Sequence, residues 1–174
     1  DDLFDPDRLQ ALWGIQGIGF GGMVRRLAWR ILIPVHFRGE VVSWTTRSIA
    51  DDVKARYISA RPGQEALSLK RLLYGTDLVR HAVVVCEGPL DAWAIGPGGV
   101  ASFGVNYSQI QVAQLMHYPV RAVCLDNEPD AQRRARWLCA QLAAFPGQTF
   151  NIRLETGKYP ASADPAEIRE LRKT

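Results

Sequence analysis

The chain has 174 residues, is 47% hydrophobic and 22% charged, and carries a formal net charge of +3, which suits one sizeable core or two small lobes. No apolar run approaches the roughly 20 residues that a bilayer span requires, and no basic segment leads into an apolar one at the start, so no membrane association and a cytoplasmic location are expected. The three cysteines, Cys86, Cys124 and Cys139, form no Cys-x-x-Cys pair, which argues against a zinc ribbon and against disulfides. The chain opens on Asp1-Asp2, as expected of a piece of something longer. Charge is distributed unevenly: residues 8–80 hold twelve Lys or Arg against five acids, and residues 81–174 hold nine of each sign. A basic first half suits a polyanion lying along it, and suits a solvated basic surface equally well.

Residues 8–24 read as a short helix running into a loop. The glycine-rich GIQGIGFGG within them lacks the GxGxxG order after a strand that would cradle a phosphate. LAWRILIPV (27–35) and EVVSWTTRS (40–48), joined by HFRG, predict an antiparallel hairpin. A polar stretch, 49–63, follows and ends in Arg-Pro-Gly. ALSLKRLLYG (66–75) then carries leucines at helical spacing before Gly75, which predicts a helix. The second half changes rhythm. Strands are predicted at 82–86, 99–103, 120–125 and 149–154, alternating with helices at 89–95, 108–117 and 129–144, and Ser108 is the expected N-cap of the second helix. This alternation is the signature of an α/β fold with a mostly parallel sheet flanked by helices. A small basic α+β lobe with an antiparallel hairpin, residues 1–80, is expected to precede it, and the parallel sheet is expected to span residues 81–174.

In HAVVVCEGPLDAWAIG (81–96) the buried-looking strand Ala82 to Cys86 stops on Glu87. In RAVCLDNEPDAQRRARWLCAQL (121–142) another ends on Asp126, Asn127 and Glu128. Ligands of parallel sheets collect beyond the carboxyl ends of the strands. Alternation along an extended chain puts Asp126 and Glu128 on one side. With neighbouring strands, Glu87, Asp126 and Glu128 gather at one rim, where three carboxylates repel unless a cation sits among them. All-oxygen donors on an open rim suit Mg²⁺ or Mn²⁺ rather than zinc. For either motif alone, helix capping explains the acids as well. The two together, in this order and spacing, favour a metal site.

These residues carry a resemblance. EGPLD, then SFGVNYSQIQVAQL, then LDNEPDAQRRA resembles the Toprim domain, in which a Glu ends the first strand and a DxD-type pair ends the third. Upstream, WRILIPVHFRGEVVSWTTR, ARYISARPG and LKRLLYG are similar, in the same order, to the segment preceding Toprim in DnaG-type bacterial and phage primases. The likeness covers nearly the whole chain from about residue 25. There are departures. Glu128 stands where the family pair usually has a second Asp. ADPAE offers Asp164 for the first acid of a third acidic motif but Ala166 for the second. Arg56 replaces a lysine before Tyr57.

The resemblance implies a primase catalytic core: template-directed synthesis of short RNA primers on single-stranded DNA from ribonucleoside triphosphates by Mg²⁺- or Mn²⁺-dependent nucleotidyl transfer. It implies Glu87, Asp126 and Glu128 as catalytic metal ligands, with Asp91 and Asp164 beside them. Arg47, Arg56, Arg61 and Lys70 are implied to grip triphosphate or template. Trp44 and Tyr57 suit stacking on bases, although a Trp on a strand fits a core position better. A first-turn helix role fits Asp91 equally well. The Arg133-Arg134-Arg136 cluster reads as the solvated face of its helix. A replicative helicase is an implied partner through flanking domains. Two alternatives stay open: a Toprim nuclease, in which the same acids cut, and a degenerate primase-like module that binds single-stranded DNA and synthesises nothing.

Overall fold

Arg38 and Gly39 both take positive φ, 55° and 83°, the two-residue turn whose twist matches that of the strands it joins. It connects β2 (Arg30–Phe37) to β3 (Glu40–Ser48), paired antiparallel with Phe37 opposite Glu40 and Arg30 opposite Ser48. The hairpin read from the sequence is therefore present. In this computed structural model residues 5–18, 27–50, 53–104 and 106–173 are described. They divide between Ser68 and Leu69 into two compact units.

In the first unit, β1 (Gln16–Ile18) and β4 (Tyr57–Ser59) flank the hairpin, giving an antiparallel sheet in the order β1-β2-β3-β4. The helix predicted near the start is α1 (Pro6–Trp13), where Asp5 accepts the Arg8 N–H at 2.7 Å. β1 falls where a loop is expected. Gly19, Gly21 and Gly22 of the glycine-rich stretch lie outside the described residues. Leu9, Trp13, Ile33 and Val35 are buried. So is Arg30, whose guanidinium donates to the carbonyls of Ala55 (2.7 Å) and Arg56 (3.0 Å) and so fixes the approach to β4.

The second unit holds the strands β5 (Ala82–Cys86), β6 (Gly99–Ala101), β7 (Val120–Val123) and β8 (Gln148–Asn151), all parallel, in the order β6-β5-β7-β8. The helices α2 (Pro89–Ile95), α3 (Gln109–Leu115) and α4 (Pro129–Leu142) make the crossovers, and α5 (Pro165–Leu171) follows β8. Val83, Val85, Val100 and Val123 share one core with Leu115 of α3 and with Ala135, Leu138 and Leu142 of α4. The alternate β5 residues, Val84 and Cys86, point to the opposite face, where α2 packs on β5 and β6. Gly99 permits that approach: a Cβ there would lie 2.9 Å from the Ala92 carbonyl oxygen and from Ile95 Cβ. Both faces of the sheet are covered, which explains why the β5 run is apolar throughout. The three cysteines are free, and burial pushes the Cys124 thiol up to about 12, the behaviour of a small inert hydrophobe.

One expectation is corrected here. Residues 66–75 do not form the predicted helix. Leu69–Arg71 makes one 3₁₀ turn, after which Leu72, Leu73 and Tyr74 are buried in succession, and Tyr74 pairs with Ala101 as an antiparallel bridge. Three consecutive buried side chains need neighbours on every side, which a surface helix does not provide. The division into two compact units falls between Ser68 and Leu69, which puts Lys70 in the second unit. Among the described residues no helix is long and apolar enough to cross a membrane.

Candidate functional site

The chain leaves β5 for β6 on one side and returns to β7 on the other, so the carboxyl ends of β5 and β7 flank a topological switch point, the place where open α/β sheets bind ligands. The ladder continues beyond the strands. Cys124 N–H donates to the Val85 carbonyl at 2.8 Å, and Asp126 N–H donates to Glu87 Oε1 at 3.3 Å. Glu87 and Asp126 thus stand side by side, each half-buried. Burial first, and then the negative charge of Asp126, push the Glu87 carboxyl up to about 7. Burial also raises Asp126, with the charge of Glu128 adding to it.

Glu128 is exposed and occupies the N-cap position of α4, yet its carboxylate makes no cap hydrogen bond; only its carbonyl serves the helix, accepting from Gln132 N–H at 2.9 Å. Capping therefore does not account for this side chain. Among the described residues, no group of three or more His, Cys, Asp or Glu side chains is assembled as a metal cage. The structure brings Glu87 and Asp126 together and couples Glu128 to Asp126. This donor set suits a hard divalent ion: half-buried carboxylates that repel one another and keep oxygen lone pairs unused by the protein.

Asp91 and Asp164 are placed differently. Asp91 is buried, and its two oxygens accept from Gly88 N–H (3.2 Å) and Ala161 N–H (3.1 Å), which fixes the start of α2 and ties it to the 3₁₀ turn Pro160–Ser162. Asp164 caps α5 by accepting Ala166 N–H at 2.7 Å. Between the rim acids, Asn127 latches the segment after β8: its side-chain amide donates to the carbonyls of Leu154 (2.7 Å) and Gly157 (2.9 Å), and its N–H donates to Lys158 at 2.8 Å.

In the first unit, Arg47 on β3 and Tyr57 on β4 form one surface feature. The Arg47 guanidinium lies 5.0 Å from the ring centroid and donates to the Tyr57 hydroxyl at 3.1 Å. Arg56 and Arg61 are exposed on either side of β4, and Trp44 is half-buried. Lys70 is exposed on the 3₁₀ turn of the second unit.

Sequence reasoning passed over Arg134. Unlike its exposed neighbours Arg133 and Arg136, it is half-buried, donates to Asn106 Oδ1 at 2.9 Å, and favours the ionised form of Glu87. The signal was present, because residue 134 lies three positions after the buried Ala131 and four before the buried Leu138, on the edge of the helix's inner stripe.

No family model and no curated protein matches the chain. Solved structures do. The DnaG catalytic core is similar over 95% of this chain and 68% of its own, with a TM-score of 0.74 at 17% identity. The RNA polymerase domain of Mycobacterium tuberculosis primase DnaG is similar over 98% of this chain and 62% of its own (TM-score 0.69, 23% identity). The zinc-binding and RNA polymerase domains of Aquifex aeolicus primase are similar over 91% of this chain, which spans 42% of that one (TM-score 0.69, 18% identity). The chain has the fold of a DnaG-type primase catalytic core.

Proposed function

We propose that this chain is the nucleotide-joining core of a primase, building short RNA primers on a single-stranded DNA template. The observation that carries this reading is the pairing of Glu87 with Asp126 at the switch point of a sheet with a primase-core fold. In the reaction, the 3′-oxygen of one ribonucleotide bonds to the α-phosphorus of the next, the bond to the bridging oxygen breaks, pyrophosphate leaves, and the hydroxyl proton passes to solvent. Glu87, Asp126 and Glu128 would hold Mg²⁺ or Mn²⁺, which when bound neutralises charge on the triphosphate.

The protein's own groups prepare the site. Asp91 sets the Glu87-Gly88 turn and acts as a positioning residue, and Asn127 holds the segment 154–158 beside Asp126. Asp164, committed to α5, serves in the same supporting way. Arg47 offers an aromatic face and a guanidinium as one unit through Tyr57, suited to a base and its phosphate. Arg56, Arg61 and Lys70 supply exposed positive charge for phosphate oxygens.

The assay is template-dependent incorporation of labelled ribonucleotides on mixed single-stranded templates with Mg²⁺ and with Mn²⁺. Primers of template-directed sequence are expected, and their absence with both ions overturns the reading. One observation favours a second reading, a module that binds single-stranded DNA without synthesis: Asp164 is spent on capping and Ala166 brings no second acid. DNA binding without incorporation selects it.

A further inference from the structure

The loop that follows β6 lies against the end of β5. Ser102 N–H donates to the Cys86 carbonyl at 3.3 Å and Gly104 N–H to the Glu87 carbonyl at 3.1 Å. Two residues beyond Gly104, Asn106 accepts the Arg134 guanidinium at 2.9 Å. A side chain from the second turn of α4 is thereby drawn over the loop that borders Glu87, while Arg133 pairs with Asp130 at 2.8 Å on the outer face of the helix.

The choice of partner matters. A carboxylate at position 106 would neutralise Arg134. An amide oxygen fixes one nitrogen and leaves the charge intact, with most of the five N–H donors of the guanidinium available. Among the described residues Arg134 forms no ion pair within 4.0 Å. A full positive charge held on the loop that borders Glu87 opposes a divalent cation binding at that acid, unless an anion arrives with it. A guanidinium fork matches phosphate oxygens.

We propose that Arg134, held by Asn106, binds the terminal phosphates of a nucleoside triphosphate and the pyrophosphate released from it. This inference rests on the nucleotidyl-transfer reading of the same rim, and it adds a cation from α4, the helix that follows the rim acids. Asn106 is the positioning residue. Its amide, not a carboxylate, is what the function requires.

The test is calorimetric titration of the intact chain with Mn²⁺ alone, and then with inorganic pyrophosphate in the presence of Mn²⁺. Arg134→Ala is expected to weaken pyrophosphate binding at least about tenfold, the scale of one lost charge-assisted hydrogen bond, with binding of Mn²⁺ alone unchanged or tighter. Arg134→Lys should recover part of the loss. Asn106→Asp should weaken pyrophosphate binding about as much as Arg134→Ala, and Asn106→Ala less. Unchanged pyrophosphate affinity in Arg134→Ala, or no binding of pyrophosphate by the unsubstituted chain with Mn²⁺, overturns the proposal. A lowered melting temperature together with weaker binding of Mn²⁺ alone would make Arg134 a structural counter-ion of Glu87 and also overturns it. The two readings fail separately. A chain that synthesises no primer yet binds pyrophosphate through Arg134 sinks the primase reading, whereas a chain that makes primers equally well with and without Arg134 sinks this one.

Discussion

Glu87 and Asp126 stand at the ends of strands, Asp91 and Asp164 at the beginnings of helices, and the two pairs are treated oppositely by their surroundings. Asp91 accepts two backbone N–H groups and Asp164 one at 2.7 Å. Glu87 accepts one long hydrogen bond, at 3.3 Å, and the Asp126 and Glu128 carboxylates accept none among the described residues. A carboxylate that satisfies backbone donors stabilises the fold in its ionised form. One that is half-buried beside another acid opposes its own ionisation, as the upward shifts of Glu87 and Asp126 record. Acid content and turn position alone do not separate the two kinds. What separates them is whether the side-chain oxygens have protein partners, and that distinguishes a candidate site from a cap.

The largest effect expected from this contrast is on chemistry. Glu87→Gln and Asp126→Asn should each reduce nucleotide joining by at least about a hundredfold while leaving the melting temperature of the metal-free protein equal or higher, because each removes repulsion. Primer synthesis and thermal denaturation on the same preparations check both halves. Next in size is Asp91→Ala, expected to cost about 2–3 kcal/mol of stability by leaving two backbone N–H groups without their acceptor, with Mn²⁺ affinity little changed; urea denaturation and Mn²⁺ titration measure these. Asp164→Ala should cost about 1 kcal/mol, the ordinary loss of an N-cap, with primer synthesis retained.

The smallest effect is on pH dependence. Glu87 is raised from 4.5 to about 7, so between these values the native state keeps a proton that the unfolded chain has released. Stability of the metal-free protein should therefore fall as pH rises through that window. Mg²⁺ should flatten the slope by taking the proton's place, and Glu87→Gln should remove the Glu87 contribution. Urea denaturation at a series of pH values, with and without Mg²⁺, reads it directly.

The second unit was legible where its physics is local, with β5 and α2 on their predicted bounds. The run Ala82–Cys86 has no polar side to mislead the reading, Pro89 marks the start of α2, and Ser108 with Gln111 forms the capping box of α3. The leucines of 66–75 misled because helical spacing also occurs in a segment buried by contacts distant in sequence, here Tyr74 with Ala101. β1 is three residues long and carries no usable period. α5 was not among the predicted elements, although Asp164-Pro165 is a helix-start signal. At the candidate site, Glu87 and Asp126, both read from sequence as strand-end acids, lie side by side. The commitment of Asp91 could not, because one of its donors, Ala161, lies seventy positions away. Arg134 was lost among neighbouring arginines until burial separated it from them.

The claim that strand-end acids form the site and helix-start acids serve the fold is tested most directly by Mn²⁺ binding. Calorimetric titration of the unsubstituted chain, Asp126→Asn and Asp164→Ala under one set of conditions gives the answer. Asp126→Asn is expected to lose Mn²⁺ binding at an unchanged or higher melting temperature, and Asp164→Ala to bind Mn²⁺ like the unsubstituted chain while melting lower. Loss of Mn²⁺ binding in Asp164→Ala, with Asp126→Asn binding normally and melting lower, would contradict that claim.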